Sequence, residues 1–212
     1  MQVTWISTLG LLLSSPVLVI AKPVACGQPP LKPDQLITIA PESSTCQSAP
    51  AAGECRTAAQ AVPHIVKAFQ TYNIASPGEQ AALISLMAFE TADFKYNINH
   101  FPGVPGQGTR NMQSPDYNVL YAKSIPALEK DLAPIIEQPK AVLDLLLTDD
   151  DYDFGSAAWF LATQCPEKIR AGLRAGTEEG WRGYITSCVG TTVTEDRKVI
   201  WERARKALQV VE

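Results

Sequence analysis

The chain has 212 residues, 46% apolar and 19% charged, with a formal net charge of −4. That length suffices for one ordinary domain with a core of its own. The acidic balance argues against a nucleic-acid binder, which needs clustered Lys and Arg, and against long-range attraction of acidic polymers.

The first 21 residues, MQVTWISTLGLLLSSPVLVIA, contain no charged side chain and close on Val19-Ile20-Ala21. The run is too short and too proline-interrupted for a comfortable membrane span. It fits a secretory signal cleaved after Ala21, although a basic residue near Met1 is missing. No later hydrophobic run is long enough for a bilayer, so the expectation is a soluble, extracellular, monomeric protein with no membrane partner after signal removal. In an oxidising compartment the five cysteines can pair. A Cys46–Cys55 bridge would close a short loop, and a Cys165–Cys188 bridge would staple neighbouring helices. Cys26 is either free or takes the place of one of these partners. No two cysteines have finger-like spacing and only His64 and His100 are available, so no metal site is expected.

Residues 22–56 are rich in Pro, Ser, Ala and Gly and read as an extended segment pinned by cysteines. Residues 57–212 read as the folded domain. From Thr57 the pattern turns helical, with Ala61, Ile65, Val66 and Phe69 on one face and Pro63 in the first turn. The stretch SPGEQAALISLMAFET is the clearest helix: Ser76 caps it, Pro77 opens it, and Glu79 completes a Ser-x-x-Glu capping box. It is apolar nearly all round, which predicts a central buried helix ending near Glu90. Phe94 to Ile98 alternates like a strand, and prolines and glycines follow. Residues 94–113 therefore read as a small β-hairpin or irregular lobe. Another helix starts at Ser114-Pro115-Asp116. Further helices are predicted near 126–136, 139–148, 154–164, 166–175, 178–188 and 195–210, with Ser124, Thr177 and Thr194 as caps. The fold class expected is mainly α (α+β), with one β insertion after the central helix.

Glu90 is the residue that raises a chemical question. Met87, Phe89 and Phe94 surround it with apolar groups, and it stands at the negative end of a helix. Both effects disfavour the charged form, as a proton donor requires. The bland alternative is a solvated or paired acid, with Lys95 or Arg110 as partner. Elsewhere, TDDDYDFG at 148–155 superficially suggests a calcium loop, but Phe154 and Phe160 stand where Gly and Glu are needed. A solvated turn with Asp153 capping the next helix is the better reading. Trp159, Trp181 and Trp201 read as packing, and His100 as a solvent or packing residue. No phosphate loop, serine-hydrolase elbow or His-Glu-x-x-His motif is present.

The order Glu90-Thr91, Phe94, Asn97, Gly108-Thr109-Arg110-Asn111 and Met112-Gln113-Ser114 resembles the lysozyme-like superfamily. The later FGSAAWFLATQC resembles a buried helix of chitinase- and chitosanase-type relatives. With the secretion signal and the cysteines, the chain is most similar to secreted fungal lysozyme-like muramidases. That resemblance implies a glycoside hydrolase cleaving the β-1,4 glycan of peptidoglycan, without a cofactor. It makes Glu90 the general acid, places Gln113 on the cleft floor, and sets Tyr96, Asn97 and Asn99 facing sugar. Arg110 would either bind substrate or pair with an acid. The lobe carries no carboxylate, so Asp116 is the candidate for a second catalytic role. Chitin or chitosan hydrolysis, lytic transglycosylation and a silent carbohydrate-binding or effector protein are the rivals.

Overall fold

A computed structural model describes residues 30–211, all helices and loops. The signal-peptide reading of residues 1–21, and Cys26, lie outside the described residues. Ten α-helices follow in order: α1 Pro33–Ile39, α2 Ala58–Thr71, α3 Pro77–Glu90, α4 Pro115–Lys123, α5 Glu129–Leu132, α6 Pro139–Leu146, α7 Asp150–Gln164, α8 Glu167–Arg174, α9 Glu178–Gly183 and α10 Glu195–Ala207. Short 3-10 turns flank α5, and a π-helical turn, Tyr184–Val189, joins α9 to the segment before α10. None of the described helices is long and apolar enough to cross a membrane.

The mainly helical class is as expected, and α3 is its centre. Eight consecutive residues, Ala81 to Ala88, are buried in it, against α10, α8, α7 and α1. The close α3–α8 crossing depends on Gly78, where a Cβ would lie 2.0 Å from the Leu173 carbonyl oxygen. The capping box does not form: Ser76 makes no side-chain cap bond. Glu79 turns inward instead and accepts from Arg170 Nε at 2.8 Å and Arg174 Nη1 at 3.4 Å, tying α8 to α3. Trp159, Trp181 and Trp201 are buried, the last two stacked with ring centroids 4.7 Å apart.

Other local expectations shift. Within residues 22–56, expected to be extended, α1 forms. Pro33 opens it, Gln35 Oε1 accepts from Lys32 N at 3.0 Å, and Leu36 and Ile39 bury one turn apart. Prolines that look like breakers act here as first-turn residues. Thr57 caps α2, which leaves Pro63 in the helix interior on an exposed side. Asp149 rather than Asp153 caps α7, and Ser124 ends α4 instead of starting a helix. Thr177 and Thr194 do cap α9 and α10. Both bridges, Cys46–Cys55 and Cys165–Cys188, are present.

The expected β-hairpin is absent among the described residues. Only isolated bridges remain, Ile98 with Gly108 and Gly108 with Gln113. Its ladder groups bind side chains instead. The Phe94 and Tyr96 carbonyls accept from the Arg110 guanidinium, and the Asn97 and Ile98 amides donate to the Glu54 carboxylate. Groups already paired this way cannot hold a neighbouring strand.

Candidate functional site

Glu90 is the last residue of α3, and the chain turns sharply after it. Thr91 is buried; its hydroxyl donates to the Met87 carbonyl at 2.6 Å and accepts from Phe94 N at 2.9 Å. Ala92, Asp93 and Phe94 then all adopt left-handed backbone, φ 49°, 57° and 68°. Such residues cost about 1–2 kcal/mol each, so their surroundings must hold them. Asp93 Oδ2 accepts from Glu42 N at 3.0 Å, and the Phe94 ring is fully buried beside Phe154. Ala92 is exposed and has no such support. Ala92→Gly is therefore expected to stabilise the fold by about 0.5–1 kcal/mol, net of backbone entropy. Urea denaturation checks this, and a loss of stability would contradict it.

The carboxylate meets a cation. Arg197, in the first turn of α10, places Nη1 2.7 Å from Glu90 Oε1, with the two side chains 10% and 21% exposed. The contact is off line: Nη1 is buried and makes no aligned hydrogen bond among the described residues. The guanidinium lies over the Phe89 ring, 3.9 Å from its centroid, a cation–π contact. The end of α3 thus faces the start of α10, whose positive pole favours a carboxylate. Beneath, Tyr184 in the π-turn is fully buried, and its hydroxyl has no hydrogen-bond partner among the described residues. Burial pushes the Tyr184 pKa up, and the charge of Glu90 adds to this.

A groove runs to both sides of Glu90. One lobe, about 280 Å³, is walled by Leu86, Tyr117, Phe160 and Val189, with Arg197 at its edge. The other, also about 280 Å³, is walled by Phe89, Tyr96, Ile98 and Phe101. Glu90, Gln107 and Met112 line both. The amides of the wall are bound to one another. Gln113 donates to Asn118 at 2.7 Å and accepts from Asn111 at 3.2 Å, Asn111 accepts from Ser156 at 2.8 Å, and Gln107 accepts from Asn99 at 2.6 Å while donating to the Met112 carbonyl. They shape the groove rather than face an occupant. Outside this network the groove also presents Glu90, Arg197 and the hydroxyls of Tyr117, Tyr96, Ser114 and Thr191.

Of the residues expected at a site, Glu90, Tyr96, Asn99 and Gln113 line this groove. Asn97 does not: it is buried and donates to Asp153 Oδ2 at 3.0 Å. Arg110 is fully buried, binding three backbone carbonyls and Asp153, and has no access to a ligand. Asp116 is exposed on α4 and lines neither lobe, so Glu90 is the single acid of the groove among the described residues. Arg197, Tyr117 and Phe160 were not anticipated. The sequence carries no local signal that joins Arg197 to Glu90. Among the described residues no group of three or more His, Cys, Asp or Glu could hold a metal ion.

No family model matches the chain, and no solved structure does. Over 169 residues, 76% of its length, it is 45% identical to a bifunctional dioxygenase–epoxy alcohol synthase of Fusarium oxysporum. The chain spans 13% of the length of that curated relative. This similarity overturns the lysozyme-like reading, and with it the glycoside hydrolase and peptidoglycan assignments. The geometry is consistent with the correction. Glu90 stands in an ion pair instead of among apolar groups alone, and among the described residues no second carboxylate lines the groove.

Proposed function

We propose that the chain is a small helical module that binds an oxygenated organic molecule of the epoxy alcohol class in the Glu90–Arg197 groove. The observation that carries this reading is the placement of an acceptor-only and a donor-only group together in a groove whose two lobes each offer apolar walls among polar ones. An alcohol hydroxyl can donate to the Glu90 carboxylate. An epoxide oxygen can only accept, and Arg197 and the Tyr117 hydroxyl are donors for it. The carbon skeleton lies against Leu86 and Phe160 on one side and Phe89 and Ile98 on the other. The lobes together have the scale of small-molecule sites.

The similarity supports the chemistry but not the whole activity. A contiguous match to 76% of the chain includes its middle, hence Glu90 and the wall around residues 107–117. The matched stretch has the size of one domain within a far longer relative. We therefore assign binding, and leave the two named reactions to that enzyme as a whole. The two disulfides support a place in an oxidising compartment.

Calorimetric titration tests the reading. An epoxy alcohol should bind at least roughly tenfold more tightly than the hydrocarbon of the same skeleton, and Glu90→Gln should weaken the epoxy alcohol by about 1 kcal/mol, roughly fivefold. Equal affinity for the hydrocarbon, or no binding of either, would overturn it.

A further inference from the structure

We infer that Arg197 is an oxyanion receptor inside the groove, and that Glu90 is an internal occupant which a carboxylate or phosphate displaces. This goes beyond the epoxy alcohol reading and stands without it, since it concerns what the guanidinium accepts.

Four observations carry it. The Arg197 side chain is nine-tenths buried yet lines the groove, so its charge has been withdrawn from water and aimed at a cavity. Among the described residues its Nη1 makes the 2.7 Å ionic contact with Glu90 Oε1 but no aligned hydrogen bond. An arginine fork is completed by two aligned, parallel bonds to one oxyanion, which this contact does not supply. The Phe89 ring holds the guanidinium from its face at 3.9 Å, so the receptor stays in place when Glu90 leaves. Glu90, in turn, is held among the described residues by one ion pair, that with Arg197, and is one-fifth exposed, so it can swing toward the second lobe, which it also lines.

The surrounding field agrees. Arg197 stands in the first turn of α10, a helix of 13 residues whose start is capped by Thr194. The partial positive charge there favours an anion. Glu195 and Asp196 in the same turn are exposed to solvent and are not among the groove-lining residues. Lys198, one residue on, is already engaged with Glu178 at 2.9 Å. The exchange is one of partners: an incoming oxyanion takes the fork, and the released Glu90 carboxylate becomes available to a hydroxyl donor.

The exchange makes an unusual prediction for one substitution. Glu90→Gln removes the competing charge while keeping the shape of the side chain. It should tighten simple oxyanions while weakening a neutral alcohol. The experiment uses the whole chain, with inorganic phosphate and sodium acetate as probes against sodium chloride at equal ionic strength. The Arg197 Nε resonance and calorimetry are the readouts. In the wild type, acetate or phosphate should shift the Arg197 signal and chloride should not. In Glu90→Gln, affinity should rise at least roughly tenfold, as removal of a like charge in direct contact implies. The stronger of the two probes identifies a planar or a tetrahedral oxyanion as the better fit. Arg197→Lys, which keeps the charge but not the fork, should bind markedly less. An Arg197 signal that stays still in both proteins, or a Glu90→Gln affinity equal to wild type, would overturn the inference. Either result would leave the epoxy alcohol titration standing on its own.

Discussion

Arg110→Ala is expected to destabilise the protein by about 3–5 kcal/mol, the cost of breaking a buried ion pair from one side. Arg110 and Asp153 are 0% and 1% exposed, with Nε 2.8 Å from Oδ2. The guanidinium also donates to the Phe94, Tyr96 and Glu54 carbonyls and lies over the Phe154 ring. Burial pushes the Arg110 pKa down, and Asp153 pushes it back. Burial likewise raises the Asp153 pKa, and Arg110 opposes it. Each charge is tolerable only beside the other. Removing the arginine leaves the Asp153 charge with only the Asn97 amide beside it, takes a donor from the Phe94, Tyr96 and Glu54 carbonyls, and frees the loop that forms the second lobe. A typical domain has roughly 5–15 kcal/mol in hand, so the variant should be marginal or unfolded. Denaturant titration measures this; a loss below about 1 kcal/mol would contradict the strut assigned to Arg110.

Removing the Cys165–Cys188 bridge, with both residues changed to alanine, should cost about 3 kcal/mol. The bridge closes a loop of 23 residues, and the entropy of the open chain sets that magnitude. It fastens the end of α7 to the π-turn, just before Val189 and Thr191 in the first lobe. Ligand affinity should therefore fall along with stability. Cys46–Cys55 spans 9 residues and should matter less by the same argument. Equal losses from the two bridges would contradict it.

What could be read from the sequence was local. Ser76-Pro77 and the apolar run after it announce α3, and its end at Glu90 follows from the loss of pattern. Both disulfides pair cysteines close in sequence, within reach of spacing arguments. The features missed depend on partners far away. The alternation from Phe94 to Ile98 looks like a strand, but Arg110 and Glu54 take the backbone groups that a strand would use. Glu79 looks like a capping residue until α8 brings Arg170 to it. Glu90 looks like an isolated acid in an apolar setting, because Arg197 arrives only through the packing of α10 on α3. The lysozyme-like resemblance rested on a helix ending in Glu, a polar loop and Met-Gln. Those are local patterns, whereas function lies in the assembled site.

The most direct test is a structure of the chain with an epoxy alcohol bound. The ligand should lie in the groove with its hydroxyl within hydrogen-bond distance of the Glu90 carboxylate and its carbon chain against Phe160 or Phe89. A ligand found instead in the separate surface hollow between α8 and α9, lined by Ile169 and Thr186, would contradict the assignment of the Glu90–Arg197 groove.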